Sequence, residues 1–128
     1  MIRAGIAVIV GLVVWVICAT AFDYPLRIAL PGYAAAEPQL NFTLAMMIAR
    51  LALPGALPSV AAGFVTAWIS RGSRRAVATL AGILLLLFLP THFYVWHKVP
   101  VWYHLIFLGS LPLLTWLGAR LRARTAQN

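Results

Sequence analysis

Ile2-Arg-Ala-Gly-Ile-Ala-Val-Ile-Val-Gly-Leu-Val-Val-Trp-Val-Ile-Cys-Ala-Thr-Ala-Phe22 decides the fold. Past Arg3 it carries no charge until Asp23, and at about 1.5 Å of rise per residue it measures ~30 Å, the thickness of a bilayer's hydrocarbon core. Backbone donors and acceptors find no water at that depth, so such a segment must be helical. It also admits a secretory signal, with Arg3, the apolar run Ala4 to Cys18, and Ala19-Thr20-Ala21 as a small-x-small cleavage site. Apolar character resumes past Phe22, which favours a retained span. A lipoprotein fits less well, because Ile17 precedes Cys18 where a small residue is needed.

Three further stretches have the same character. The expected spans are 2–22, 48–69, 76–94 and 101–117, with a periplasmic segment over 23–47. Asp23-Tyr24-Pro25 marks the exit of the first span, and the proline-rich stretch to Gln39 reads as an ordered loop with one short helical turn. Arg50 falls at the far interface of the second span when ~31 Å is counted back from Arg71, so its long side chain is expected to snorkel. Pro54 and Pro58 each remove a backbone donor and invite a kink. Pro90 kinks or ends the third span, and Gly118 ends the fourth. Between those two, the aromatic connector His92 to His104 reads as a belt at headgroup level. The fold class expected is all-α: a polytopic membrane protein whose four transmembrane helices form an antiparallel bundle in one domain over 1–128.

Composition supports this. The chain is 63% hydrophobic and 9% charged with a mean hydropathy of +0.94, against roughly 50% and 25% for soluble proteins. Little chain is left for a water-soluble domain. The net charge of +8 would point to nucleic acid in a soluble protein. Here Arg3, Arg71, Arg74, Arg75, Arg120, Arg122 and Arg124 flank apolar spans, so the charge sets topology and no nucleic-acid partner is expected. Those seven lie on the side of the termini and the 71–75 turn, whereas Arg27, Arg50 and Lys98 lie on the other. Both termini are therefore expected in the cytoplasm, and the terse loops favour a bacterial inner membrane. Cys18 is alone, so it offers neither an internal disulfide nor a cysteine metal site.

Gly55, Ser59, Gly63 and Ala67 recur every four residues in the second span. That spacing keeps small residues on one stripe, where another helix backbone can approach closely without any hydrophobic drive in lipid. Ala78 and Gly82 repeat it in the third span, which makes that span the expected partner of the stripe, with another protein as the alternative.

The second constellation is polar, at the periplasmic level: Asp23, Arg27, Glu37, Arg50, His92, His97, Lys98 and His104. Its candidate site residues are Asp23, Arg50, His92, His97 and His104. An Asp23–Arg50 ion pair would clasp the first two spans, since either charge alone is costly near hydrocarbon. Imidazoles with carboxylates suit zinc, copper or nickel, but His92 and His97 would not share a helical face. A haem would need opposed histidines inside the bundle, and the first two spans contain none. Neither metal nor cofactor is therefore expected. No nucleophile with a base, no HExxH and no phosphate-cradling glycine loop occurs, so an enzyme is not expected either. Proton-coupled transport calls for an ionisable residue within a span, as in small multidrug transporters with a membrane glutamate in their first helix. The first span has none between Arg3 and Asp23.

Gly63-Phe-Val-Thr-Ala-Trp-Ile-Ser-Arg71, a small-residue span ending in an arginine cluster, and Leu117-Gly-Ala-Arg-Leu121 resemble the corresponding span ends of a loosely related set of uncharacterised four-span bacterial inner-membrane proteins. The resemblance covers Ala56 to Leu121 and implies topology without activity. The expectation is a small non-catalytic membrane protein, an accessory or scaffold subunit of a larger complex that acts through helix packing in the bilayer. The alternative is a homo-oligomeric transporter or channel whose outer mouth holds Asp23, Arg50 and His104.

Overall fold

The computed structural model describes residues 2–36, 38 and 42–127, and its long elements are all helical. α1 spans Ile2–Ala29, α2 Tyr33–Ala36, α3 Leu44–Arg50, α4 Leu57–Ile69, α5 Arg74–Tyr94 and α6 Val101–Gln127. A π turn, Leu51–Ala56, joins α3 to α4 so that Leu44–Ile69 is one continuous helix. Four helices are long and apolar enough to cross a membrane: α1, the α3–α4 helix, α5 and α6.

The helices outrun the apolar stretches that announced them. α1 continues through Pro25 to Ala29 and α6 through Gly118 to Gln127, because polarity marks where hydrocarbon stops and not where the backbone ceases to coil. Pro90 likewise lies inside α5. The π turn has a local cause. Pro54 and Pro58 lack the N–H groups that the carbonyls of Arg50 and Pro54 would bond in an α-helix, and the ladder widens to absorb the loss. Start signals are conventional: the Thr43 hydroxyl accepts from the Met46 N–H at 3.3 Å and the Ser73 hydroxyl from the Ala76 N–H at 3.2 Å. Inside the helices, Thr20, Thr79 and Thr115 donate their hydroxyls to the carbonyls of Val16, Arg75 and Leu111, four residues back, at 2.9, 2.7 and 2.7 Å. Each hydroxyl is thus satisfied without water.

The core comprises Trp15, Ala62, Leu80, Leu84, Phe107 and Leu111, with Phe88 packed against it. The ring of Phe88 sits 4.9 Å from Trp15 and 5.2 Å from Phe107, tilted or edge-on to each. The tightest seam joins α4 to α6. A Cβ at Gly63 would strike the backbone of Thr115, and one at Gly118 the backbone of Val60 and Phe64. Gly11 gives α1 the same access to Thr66 of α4. Two polar contacts cross that second seam, Trp15 Nε1–H to the Ser59 hydroxyl at 3.0 Å and the Thr66 hydroxyl to the Ala7 carbonyl at 3.3 Å.

Here the expected packing partner is corrected. Ala78 is exposed, and a Cβ built at Gly82 meets nothing within 4 Å. α5 turns Ala76, Val77, Leu80 and Leu84 inward instead. The small-residue stripe, which runs from the π turn through α4, meets α6 through Gly55 against Phe107 and Gly63 against Thr115, and α1 through Ser59, while Ala67 is buried.

Candidate functional site

Two polar clusters share the end of the bundle where α1 finishes and α6 begins. In the first, α1 carries Asp23, α2 carries Tyr33 and α3 carries Arg50. Gly32, at φ 80°, turns the chain into α2, a conformation glycine adopts freely. The turn drives Tyr33 into full burial among Leu26 and Met46. Its hydroxyl donates to Asp23 Oδ1 at 2.7 Å and accepts from Arg50 Nη1 at 2.8 Å. Asp23 and Arg50 are 3.7 Å apart directly, so the phenol is the shorter bridge between them.

Asp23 also accepts from Arg27 Nε at 3.0 Å, one helical turn along α1. Arg50 lies 5.3 Å from the centroid of the Phe42 ring, a cation–π distance, and is close enough to the Tyr103 phenol on α6 to interact with it electrostatically. Burial and the bond to the Asp23 carboxylate push the Tyr33 phenol up to about 12, so it stays a donor through all ordinary pH.

The second cluster pairs His92, in the last turn of α5, with His104, in the first turn of α6. Their Nδ1 atoms are 2.7 Å apart, and both rings are buried. Nε2 of His104 lies 3.1 Å from the Trp96 carbonyl, which can only accept, so that nitrogen carries a proton. In the uncharged pair the Nδ1 of His104 then accepts and that of His92 donates. The rings are held by stacking, His104 on Trp96 at 4.6 Å and His92 on Phe107 at 4.7 Å. Tyr103, 6.2 Å from His92, joins this cluster to Arg50.

The structure brings Asp23 to Arg50 and His92 to His104, and it leaves His97 out. The connector turns back on itself through the Lys98 N–H to Val95 carbonyl bond at 3.0 Å, and His97 stands exposed on that turn. Its place in the cluster is corrected accordingly. Glu37 lies outside the described residues. Tyr33 and Tyr103, which knit the two clusters together, carry no periodic or spacing signal; only the hydrogen-bonding capacity of a tyrosine near two charges hinted at them. Among the described residues, no group of three or more His, Cys, Asp or Glu side chains converges as a metal site would require. The clusters can bind, brace and relay a proton between His92 and His104. Comparison with protein-family models, curated proteins and solved structures gave no match.

Proposed function

We propose that this chain is a non-catalytic subunit of the bacterial inner membrane, an antiparallel four-helix bundle with both termini in the cytoplasm that acts by packing against another membrane protein. The observation that carries the reading is how its interior polar groups are engaged. Asp23, Tyr33 and Arg50 bind one another, as do His92 and His104, and Trp15 and Ser59. A filled aromatic and aliphatic core lies between them. A protein organised this way braces itself and meets partners on its outside. Antiparallel order is supported by the contacts of α1, where Ala7, Trp15 and Asp23 meet Thr66, Ser59 and Arg50 in reverse succession. The arginines beside the 71–75 turn and in α6 support the cytoplasmic placement of that end.

For the docking face, Ala78 and Gly82 combine the spacing that lets helices approach closely in lipid with an open outer surface. Gly82→Leu should leave folding intact, because no atom lies within 4 Å of a Cβ built there, and should strip the partner from protein extracted gently from its own membrane and weighed by native mass spectrometry. Full retention of the partner in that variant, or a wild-type protein that emerges as a bare monomer, would overturn the proposal. The second reading, a homo-oligomeric transporter or channel, draws on the charged Asp23–Arg50 end. It predicts a homo-oligomer in the same spectrum and ion or solute flux in vesicles that Arg50→Gln abolishes.

A further inference from the structure

The turn that closes α4 holds an arginine where glycine would be easier. The Gly72 N–H reaches the Ala67 carbonyl at 2.8 Å and the Arg71 N–H reaches the Trp68 carbonyl at 3.4 Å. This pair of bonds is the Schellman closure, whose left-handed position is usually glycine. Here that position is Arg71, at φ 57°. A Cβ is disfavoured in this region, so the guanidinium is kept at the expense of the backbone.

Arg71 lines a notch of about 390 Å³ between the end of α4 and the late turns of α6. Arg122 faces it from α6, Trp68 edges it, and Gly72, Ala119 and Ala123 give it depth through their small size. Neither arginine has an acidic side-chain partner among the described residues. Asp23 is engaged at the opposite end by Arg27, Tyr33 and Arg50, and Glu37, the only other acid of the sequence, lies outside the described residues. Arg120 nearby rests over Trp116 at 4.8 Å. Two guanidiniums around a small-residue floor match a phosphodiester, which arginine binds through paired donors. The exposed Trp68, Trp116, Leu117 and Leu121 provide apolar surface beside it for acyl chains.

We propose that this notch binds the phosphodiester of an anionic phospholipid, held by Arg71 and Arg122. The proposal rests on the membrane placement argued above. It is tested on the full chain in neutral detergent, offered phosphatidylglycerol or phosphatidylcholine with identical acyl chains, with bound lipid read by native mass spectrometry. Wild type should retain phosphatidylglycerol preferentially. Arg71→Gly and Arg122→Gln should each weaken that preference about fivefold, the effect of one basic residue near an anionic headgroup. Arg71→Gly should melt no lower than wild type, since glycine is at ease at this φ, so its loss of lipid would not be a loss of fold.

Arg75→Gln removes the same charge outside the notch and should change little. Equal retention of the two lipids, or an equal drop with Arg75→Gln, would overturn the site. Displacement of phosphatidylglycerol by the same concentration of inorganic phosphate would make it a soluble-anion site and overturn it too. Resistance to alkaline carbonate extraction reads membrane placement separately, so a chain that stays with the membrane but lacks lipid preference loses this inference alone.

Discussion

Replacing Gly63 with alanine adds one methyl group to the seam between α4 and α6. A Cβ there would meet the Thr115 carbonyl oxygen, and would lie 2.7 Å from the carbonyl carbon and 2.9 Å from Cα of the same residue. All three are backbone atoms, which no rotamer change can move, so the helices themselves must part. The oxygen contact is the shortest and sets the displacement: reaching an ordinary distance requires a separation of about 1 Å or more, and a gap of that size forfeits about half or more of each van der Waals well of ~0.1–0.2 kcal/mol. Spread over ~40 atom pairs along the seam, the loss is roughly 2–4 kcal/mol, at the upper end of the effect of overpacked cores. Alanine's better helix propensity returns up to ~1 kcal/mol. The expected net destabilisation is therefore about 1–3 kcal/mol. Gly82→Ala gains the same propensity with nothing opposing its methyl, and should be neutral or slightly stabilising. Unfolding in mixed micelles by titrated SDS, followed by circular dichroism, measures both. A Gly63→Ala variant as stable as Gly82→Ala would refute the close approach of α4 to α6.

Tyr33→Phe should destabilise by ~1–2 kcal/mol, since it removes the hydroxyl that Asp23 and Arg50 share. In a double-mutant cycle with Arg50→Gln the effects should fall short of additive by more than ~0.5 kcal/mol, and simple addition would show that the two do not act together. The Tyr33 phenol ionises near 10 in an unfolded chain and at about 12 in the folded one. The folded state holds this proton more tightly, so the associated stability is complete below pH ~10 and lost as pH rises from about 10 through about 12. Tyr33→Phe should delete the phenolate absorbance gained near pH 12, and an unchanged titration there would contradict the bridge. His92→Leu and His104→Leu should each cost about 1–3 kcal/mol by orphaning a buried ring nitrogen; the double variant should cost less than their sum, and a full sum would mean that the rings do not pair.

What the sequence disclosed, and what it withheld, follows from the range over which each signal acts. Hydropathy acts over a whole helix, so Ile2 to Phe22 and its three counterparts were legible, although the helix ends were not. The four-residue recurrence from Gly55 to Ala67 defined a stripe on one helix but could not say what lay opposite. Ala78 and Gly82 share that spacing yet face outward, while the residues that meet the stripe, Phe107 and Thr115, are not small. In the sequence Gly118 reads as punctuation at the end of a span, whereas in the fold it is a point of backbone contact with Val60. Depth counting put Asp23 and Arg50 at one level, but nothing in a four-residue helix such as α2 could show that Tyr33 would come between them.

The two ends of the bundle handle charge in opposite ways, and this contrast ties fold to function. Where α1 finishes and α6 begins, Arg27 and Arg50 share one carboxylate, and tyrosines and stacked imidazoles fill the space around them. Charges so engaged hold helices together, because separating them would leave an ion without its partner. Where α4 stops and α6 ends, Arg71 and Arg122 face a notch with no acidic side chain opposite among the described residues. Unneutralised guanidiniums contribute little to the stability of one chain, and they attract whatever anion the surroundings supply. The first end therefore determines how the bundle is braced. The second carries the charge on which the proposed orientation and the proposed lipid contact rest, so substitutions at the two ends act through different physics even where they remove the same charge.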